Sequence, residues 1–236
     1  MYEKSAEFYD AIYMAIGKDY VTESQQVKAL LAHHARIPLE SLLDVACGTG
    51  EHLVHLSQEF DVVGIDVNDV MLEAARAKLP DVDLRKGDMH SFELKNQFDA
   101  VICLFSAIGY AEGVDGLHRC MANFFRHTRP GGIALIEPWL LPEVYTPGGL
   151  YVTSVDRPDL KITRMNISEQ DGRKSVMDMH HLVGTPDGID YFVEHHELML
   201  FTHEEYLTAM QTAGYAAVYD EGGLSGRGLY IGLAPQ

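Results

Sequence analysis

Between Ser41 and Gly50 an apolar run of strand type (Leu42, Leu43, Val45, Ala46) drops into a turn with glycines at 48 and 50. Helical spacing follows directly at His52, Leu53 and Leu56. A strand, a glycine turn and a helix in that order place the chain in the α/β class. They also bring bare backbone N–H groups against a nucleotide-like ligand, because glycine has no Cβ to hold it off. A dinucleotide fits poorly. Its fingerprint wants a small residue three positions after the second glycine, and Leu53 stands there. Asp44, at the end of the strand, would repel a pyrophosphate and suits a cation. The sulfonium and ammonium groups of S-adenosylmethionine meet that description, with Gly48 at the point of closest backbone approach.

The rest of the chain repeats the alternation. Val62–Val67 is a second buried strand carrying Asp66, spaced from the glycine turn as an acid that takes both hydroxyls of a ribose. Asn68 caps a helix through Met71, Leu72, Ala74 and Ala75. Leu84–Met89 forms a third strand, whose Asp88 and Met89 offer an acceptor for an adenine amino group and an apolar surface for its ring. Phe98–Phe105 and Ile133–Ile136 are further apolar strands, separated by a helix from Val114 to Thr128. Strands and helices in this rhythm predict a doubly wound parallel sheet, with Asp44, Asp66, Asp88, Ser106 and Glu137 all at strand ends where ligands bind.

Residues 1 to 35 read as helices, the second capped by Thr22 and Gln25. Their tyrosines (Tyr2, Tyr9, Tyr13, Tyr20) form either core packing or a lid over the ligand. From Leu141 to Leu200 the helical period stops. Four alternating runs, Tyr151–Val155, Lys161–Ile167, Lys174–Leu182 and Ile189–Phe201, predict an antiparallel insertion, a substrate platform or a dimerisation sheet or both. The domain division expected is therefore 1–140 with 202–236 as a ligand-binding core, and 141–201 as the insert. Two last strands enclose Gly222–Arg227, where flexible N–H groups, the Ser225 hydroxyl and the Arg227 guanidinium suit a diphosphate.

Composition removes other classes. A net charge of −17 opposes nucleic-acid binding, and no apolar run is long enough for a membrane span. Acidic and basic residues near the start (Glu3, Lys4, Glu7, Asp10) do not read as a signal peptide, so a cytoplasmic location is expected. Cys47, Cys103 and Cys120 lack metal-ligand spacing. The histidine pairs 33–34, 180–181 and 195–196 are read as structural or surface residues rather than metal ligands, since neighbours in a strand point to opposite faces.

With these residues in place, the chain resembles a class I S-adenosylmethionine-dependent methyltransferase: a Rossmann-like sheet with helices on both faces. Asp44–Gly50, Gly87-Asp88-Met89, Phe105–Tyr110, Glu137-Pro138-Trp139 and Gly222–Gly228 resemble the N,N-dimethyltransferases of nucleotide-linked amino sugars, such as those making dTDP-desosamine and dTDP-mycaminose. The resemblance implies that Tyr9, Tyr20, Ala46, Asp66, Asp88 and Met89 hold the cofactor, and that Tyr2 and Tyr110 lie near the sugar's amine. Trp139, followed here by Leu140 rather than a second aromatic, is implied in packing the substrate. The implied activity is N-methylation of a dTDP-linked amino sugar by direct displacement. The alternatives are another small-molecule acceptor or a non-catalytic cofactor-binding module.

Overall fold

The computed structural model describes residues 2–236. Two short N-terminal helices, α1 (Tyr9–Ala15) and α2 (Tyr20–His34), precede a regular alternation: β1 (Ser41–Val45), α3 (Glu51–Leu56), β2 (Asp61–Asp66), α4 (Asp69–Lys78), β3 (Asp83–Lys86), β4 (Phe98–Cys103), α5 (Gly113–His127) and β5 (Thr128–Ile136). Four long strands follow, β6 (Leu150–Asp156), β7 (Lys161–Asp171), β8 (Lys174–Thr185) and β9 (Gly188–Met199), and then α6 (His203–Ala213), β10 (Ala216–Asp220) and β11 (Leu229–Leu233).

The first sheet has seven strands in the order β10-β11-β5-β4-β1-β2-β3. Strands β1 to β5 run parallel, and β11 joins β5 antiparallel. Because both faces are covered, the strands are apolar at consecutive positions rather than alternate ones. Leu42 packs with α2, α3 and α4 through Val27, Leu31, Leu53, Leu56 and Leu72. Leu43, its neighbour, packs on the other face with Leu117, Met121 and Phe124 of α5 and with Tyr206 and Met210 of α6. The order of β1 and β4 in the middle of the sheet creates a switch point, and the carboxyl ends of β1, β2 and β4 open onto it.

Helix starts follow local chemistry with one difference from expectation. Asn68 caps α4, and Thr202 with Glu205 closes a capping box on α6. Helix α2, however, begins at Tyr20, two residues before Thr22. Its cap is Asp19, whose Oδ1 accepts the Thr22 backbone N–H at 3.0 Å, because an aspartate reaches the third amide as well as a threonine does.

Strands β6 to β9 form a separate antiparallel sheet in sequential order. Along β7, Ile162, Arg164, Asn166 and Ser168 face inward and the residues between them face out, the period of two expected of a half-covered sheet. The inner face rests on α1, where Ala11 and Ile12 meet Val155, Ile162 and Val183. It also meets the segments after β4 and β5, where Tyr110 and Trp139 respectively pack on Met177, Met179 and Leu198. The N-terminal segment is pinned to β9 by Glu194. Its carboxylate accepts from the backbone N–H groups of Lys4 and Ser5 at 3.0 and 3.2 Å and from the Ser5 hydroxyl at 2.5 Å.

Candidate active site

The carboxyl edge of the parallel sheet and the inner face of the second sheet enclose three adjoining cavities. The smallest, about 40 Å³, lies over the glycine turn, lined by Tyr9, Tyr20, Asp44, Gly48, Thr49 and His52 among others. The middle one, about 100 Å³, includes Tyr2, Tyr9, Ala46, Gly48, Asp66, Met89 and Tyr110. The largest, about 540 Å³, runs beneath β7 and reaches Tyr13, Trp139, Arg164, Asn166, Ser168 and Arg227. Phe105 lines all three, and Tyr2 and Tyr110 line the middle and the largest. The result is one trough with two ends and a waist at these aromatic rings.

The narrow end is acidic. Asp66 is buried; Oδ2 accepts the Gly48 N–H and Oδ1 the Asn68 N–H, both at 2.8 Å. Each carboxylate oxygen has a second lone pair, so two acceptor sites remain for a diol. Burial pushes its carboxyl up from the ordinary range, against those amide bonds. Asp44 is buried more completely. Desolvation first, and the neighbouring Asp66 charge second, raise its carboxyl well above the usual carboxylate range. Its negative charge is therefore costly unless a cation arrives.

Two features test whether S-adenosylmethionine fits here. The Tyr20 hydroxyl is buried without a hydrogen-bond partner among the described residues, beside the glycine turn. Gly48, at φ +56, has only open space where a Cβ would stand, so the turn leaves a cradle that any other side chain would fill. Gly50 serves packing instead: at φ +78, a Cβ would come within 2.9 Å of Leu79 on the end of α4. The residues fit the group. Helix α1 roofs this end. Asp10 accepts from Thr49 Oγ1 at 2.6 Å and from Lys78 Nζ at 2.5 Å, which ties the helix to the turn.

The wide end is cationic, polar and aromatic, and no carboxylate lines it. Arg227 donates to Ser106 Oγ at 2.9 Å and lies 5.0 Å over the Trp139 ring. Arg164 is buried 5.0 Å over the Tyr13 ring. The indole N–H of Trp139 is buried with no partner among the described residues, which leaves a donor for a ligand.

Between the ends, Phe105 and Ser106 both adopt left-handed backbone, at φ +52 and +65. Glu137, fully buried, holds them there. Its Oε2 accepts the Phe105 N–H at 2.6 Å and its Oε1 the Ser225 hydroxyl at 2.5 Å, so one carboxylate joins the exit of β4 to the glycine-rich loop. The Lys18 ammonium sits 3.7 Å over the Phe105 ring and pairs with Glu23 at 2.5 Å.

Of the residues singled out in the sequence, the structure therefore brings Tyr2, Tyr9, Tyr20, Ala46, Gly48, Asp66, Met89 and Tyr110 around the narrow end and waist, and Trp139 and Arg227 into the wide end. Asp88 and Ser225 line none of the three cavities. Asp88 is exposed and accepts from His90 through its backbone at 2.8 Å and its ring at 2.6 Å; Ser225 is spent on Glu137. Two neighbours escaped the sequence reading. Arg164 was legible in the two-residue period of β7. His196 was set aside with its pair, yet only His195 is exposed, bonding Asp178 and Glu197, while His196 is buried with Nδ1 2.8 Å from the Tyr110 hydroxyl.

Known proteins match this chain in sequence and in fold. Residues 42–132 match the family model described as a methyltransferase domain. The chain is 40% identical, over 99% of both sequences, to the dTDP-3-amino-3,4,6-trideoxy-alpha-D-glucopyranose N,N-dimethyltransferase of Streptomyces venezuelae. It is 41% identical, over 97% of itself and 90% of the relative, to the dTDP-3-amino-3,6-dideoxy-alpha-D-glucopyranose N,N-dimethyltransferase of Streptomyces fradiae. The crystal structure of Streptomyces venezuelae DesVI superposes with a TM-score of 0.93 at 38% identity, covering 99% of each chain. SAM-bound CalS10, an amino pentose methyltransferase of Micromonospora echinaspora, gives 0.87 at 36% identity, covering 96% of each.

Proposed function

This chain belongs to the S-adenosylmethionine-dependent methyltransferases, in the group that includes the dTDP-amino-sugar N,N-dimethyltransferases, and from that premise we propose that it N-methylates the amino group of a dTDP-linked amino sugar. The observation that carries the reading is the polarity of the trough. An acidic, glycine-floored end suits a cationic cofactor, and an end with two arginines and no carboxylate suits a diphosphate. They meet at Tyr2, Phe105 and Tyr110, where an amine and a methyl group would have to meet.

When bound, S-adenosylmethionine supplies a methyl group on a sulfonium, which is already a good leaving group. The protein's task is alignment. Asp66 would take the ribose hydroxyls, Tyr9, Tyr20, Ala46 and Met89 would enclose the cofactor, and Asp88 would act from the rim. Arg227, braced by Ser106 and Trp139, would hold the diphosphate, with Arg164 as a second cation and Trp139 against the substrate's rings. Burial raises the phenols of Tyr2 and Tyr110 well above the usual tyrosine range. Both are hydroxyls rather than phenolates at neutral pH, and they act on the amine by hydrogen bonding.

The outward face of the second sheet exposes Leu150, Ile167, Leu182, Ile189 and Tyr191 together, and Ile189 is 77% exposed. A second copy of the chain would cover it, which sedimentation would detect as a dimer. No helix among the described residues is long and apolar enough to cross a membrane, and all three cysteines are unpaired; the cytoplasm is the location proposed.

The decisive assay incubates the protein with S-adenosylmethionine and dTDP-linked amino sugars and follows product mass. Gain of one or two methyl groups on the sugar nitrogen supports the reading. Methyl transfer to free amines but to no nucleotide sugar would overturn it.

A further inference from the structure

The waist of the trough contains one group that the proposed mechanism does not use. His196, on β9, is 1% exposed, and its Nδ1 lies 2.8 Å from the hydroxyl of Tyr110. The ring lies against Tyr2, centroids 4.5 Å apart, and its Nε2 is buried without a hydrogen-bond partner among the described residues. The Tyr110 contact is thus the one hydrogen bond this imidazole makes among those residues, whichever tautomer it takes. Tyr110 lines both the middle and the largest cavity, so whatever orients its hydroxyl orients it at the place where the amine must sit.

A phenol has one proton to donate and two lone pairs to accept with. Tyr2 lines the same two cavities as Tyr110, and its own hydroxyl is 3.3 Å from that of Tyr13. We infer that His196 is a positioning residue: its Nδ1 accepts the hydrogen bond of the Tyr110 hydroxyl, so that the Tyr110 lone pairs are left to accept an N–H of the substrate amine. With its N–H held there, the amine's own lone pair points away from the phenol and toward the methyl donor. This rests on the amine acceptor argued above.

The surroundings keep the imidazole suited to that part. Burial pushes its pKa down to about 4, and Arg164 and His181 push the same way against the opposing charge of Glu194. It stays neutral across the working range, so one ring nitrogen always lacks a proton and can accept. A free Tyr110 hydroxyl would be worse than none, since it could donate to the amine lone pair and withdraw the nucleophile.

That asymmetry gives the test. His196→Leu should lower kcat about tenfold to a hundredfold, more than Tyr110→Phe does, with the KM for the nucleotide sugar within about twofold. The double variant His196→Leu/Tyr110→Phe should recover to the Tyr110→Phe rate. His196→Asn, which keeps an acceptor, should stay within about threefold of wild type. A double variant slower than either single one, or His196→Leu at wild-type kcat, would overturn the assignment. Should the leucine variant not fold, ¹⁵N NMR of the wild-type imidazole decides. The proton should reside on Nε2 and the signals should not titrate between roughly pH 5.5 and 8.5. A proton on Nδ1, or titration near neutrality, overturns it. If the wild type methylates no nucleotide-linked amino sugar, the substrate reading fails, while the NMR result still decides the direction of the Tyr110 hydrogen bond.

Discussion

The narrow and wide ends of the trough are built from the same kind of scaffold edge but carry opposite charge. At the narrow end Asp44 and Asp66 are buried at the ends of β1 and β2. At the wide end Arg164 and Arg227 line the cavity wall, and no carboxylate lines it with them. Each end makes the other's ligand unwelcome, because an unpaired buried charge is expensive. On the proposed reading a cationic cofactor and an anionic acceptor would be sorted by sign before any specific contact is made, and only the aromatic waist of Tyr2, Phe105 and Tyr110 would be common to both. The wide end also depends on the narrow one for its shape, since Glu137 ties the Arg227 loop to Phe105.

If the division is real, a substitution at one end should leave the other end's ligand untouched. The largest effect is expected at Asp66. Asp66→Ala should weaken S-adenosylmethionine binding by about 1.5–3 kcal/mol by calorimetry, with the KM for the nucleotide sugar unchanged. Because Asp66 also holds the Gly48 and Asn68 amides, a thermal melt must show the variant folded. Unchanged affinity in a folded variant would remove Asp66 from the site.

Next comes Arg227→Ala. It should raise the KM for the nucleotide sugar about ten- to a hundredfold while kcat and S-adenosylmethionine affinity hold, because a diphosphate contact is equal in ground and transition states. A wild-type KM for every nucleotide sugar would mean that the loop is not a diphosphate site. At the waist, Tyr2→Phe or Tyr110→Phe should slow turnover by about tenfold or less, with neither ligand's affinity much altered. A loss of about a hundredfold or more would point to a true proton acceptor there.

The smallest signal belongs to Asp44. Its carboxyl is raised in the free protein, and a bound cation would lower it, so cofactor binding should release a fraction of a proton. Affinity should then fall as pH drops through the raised value, and binding heats should vary with the buffer's ionisation enthalpy. The free protein's stability runs the other way. A carboxyl raised by folding takes up protons on folding, so stability is lost as pH rises from the unfolded value toward the folded one. Buffer-independent heats would show that Asp44 does not meet the cation.

What the chain by itself determined was everything that depends on neighbours in sequence. The β1 run ahead of its glycine turn, the acids at the strand ends, the caps at Asn68 and Thr202, and the two-residue alternation of the second sheet are all set within a few residues, where backbone geometry leaves little choice. Even the one cap misjudged, Asp19 for Thr22, was three residues away. Only the tertiary structure decided the waist. Tyr110 and His196 are separated by 86 residues, Ser225 and Glu137 by 88, Glu194 and Ser5 by 189. No periodicity connects such positions. Two adjacent histidines look identical in sequence, and it is the packing of one sheet face onto α1 and the Tyr110 turn that buries His196 and leaves His195 in water. Burial then decides what each can do, because the cost of charging an imidazole is set by its surroundings and not by the residues beside it in the chain.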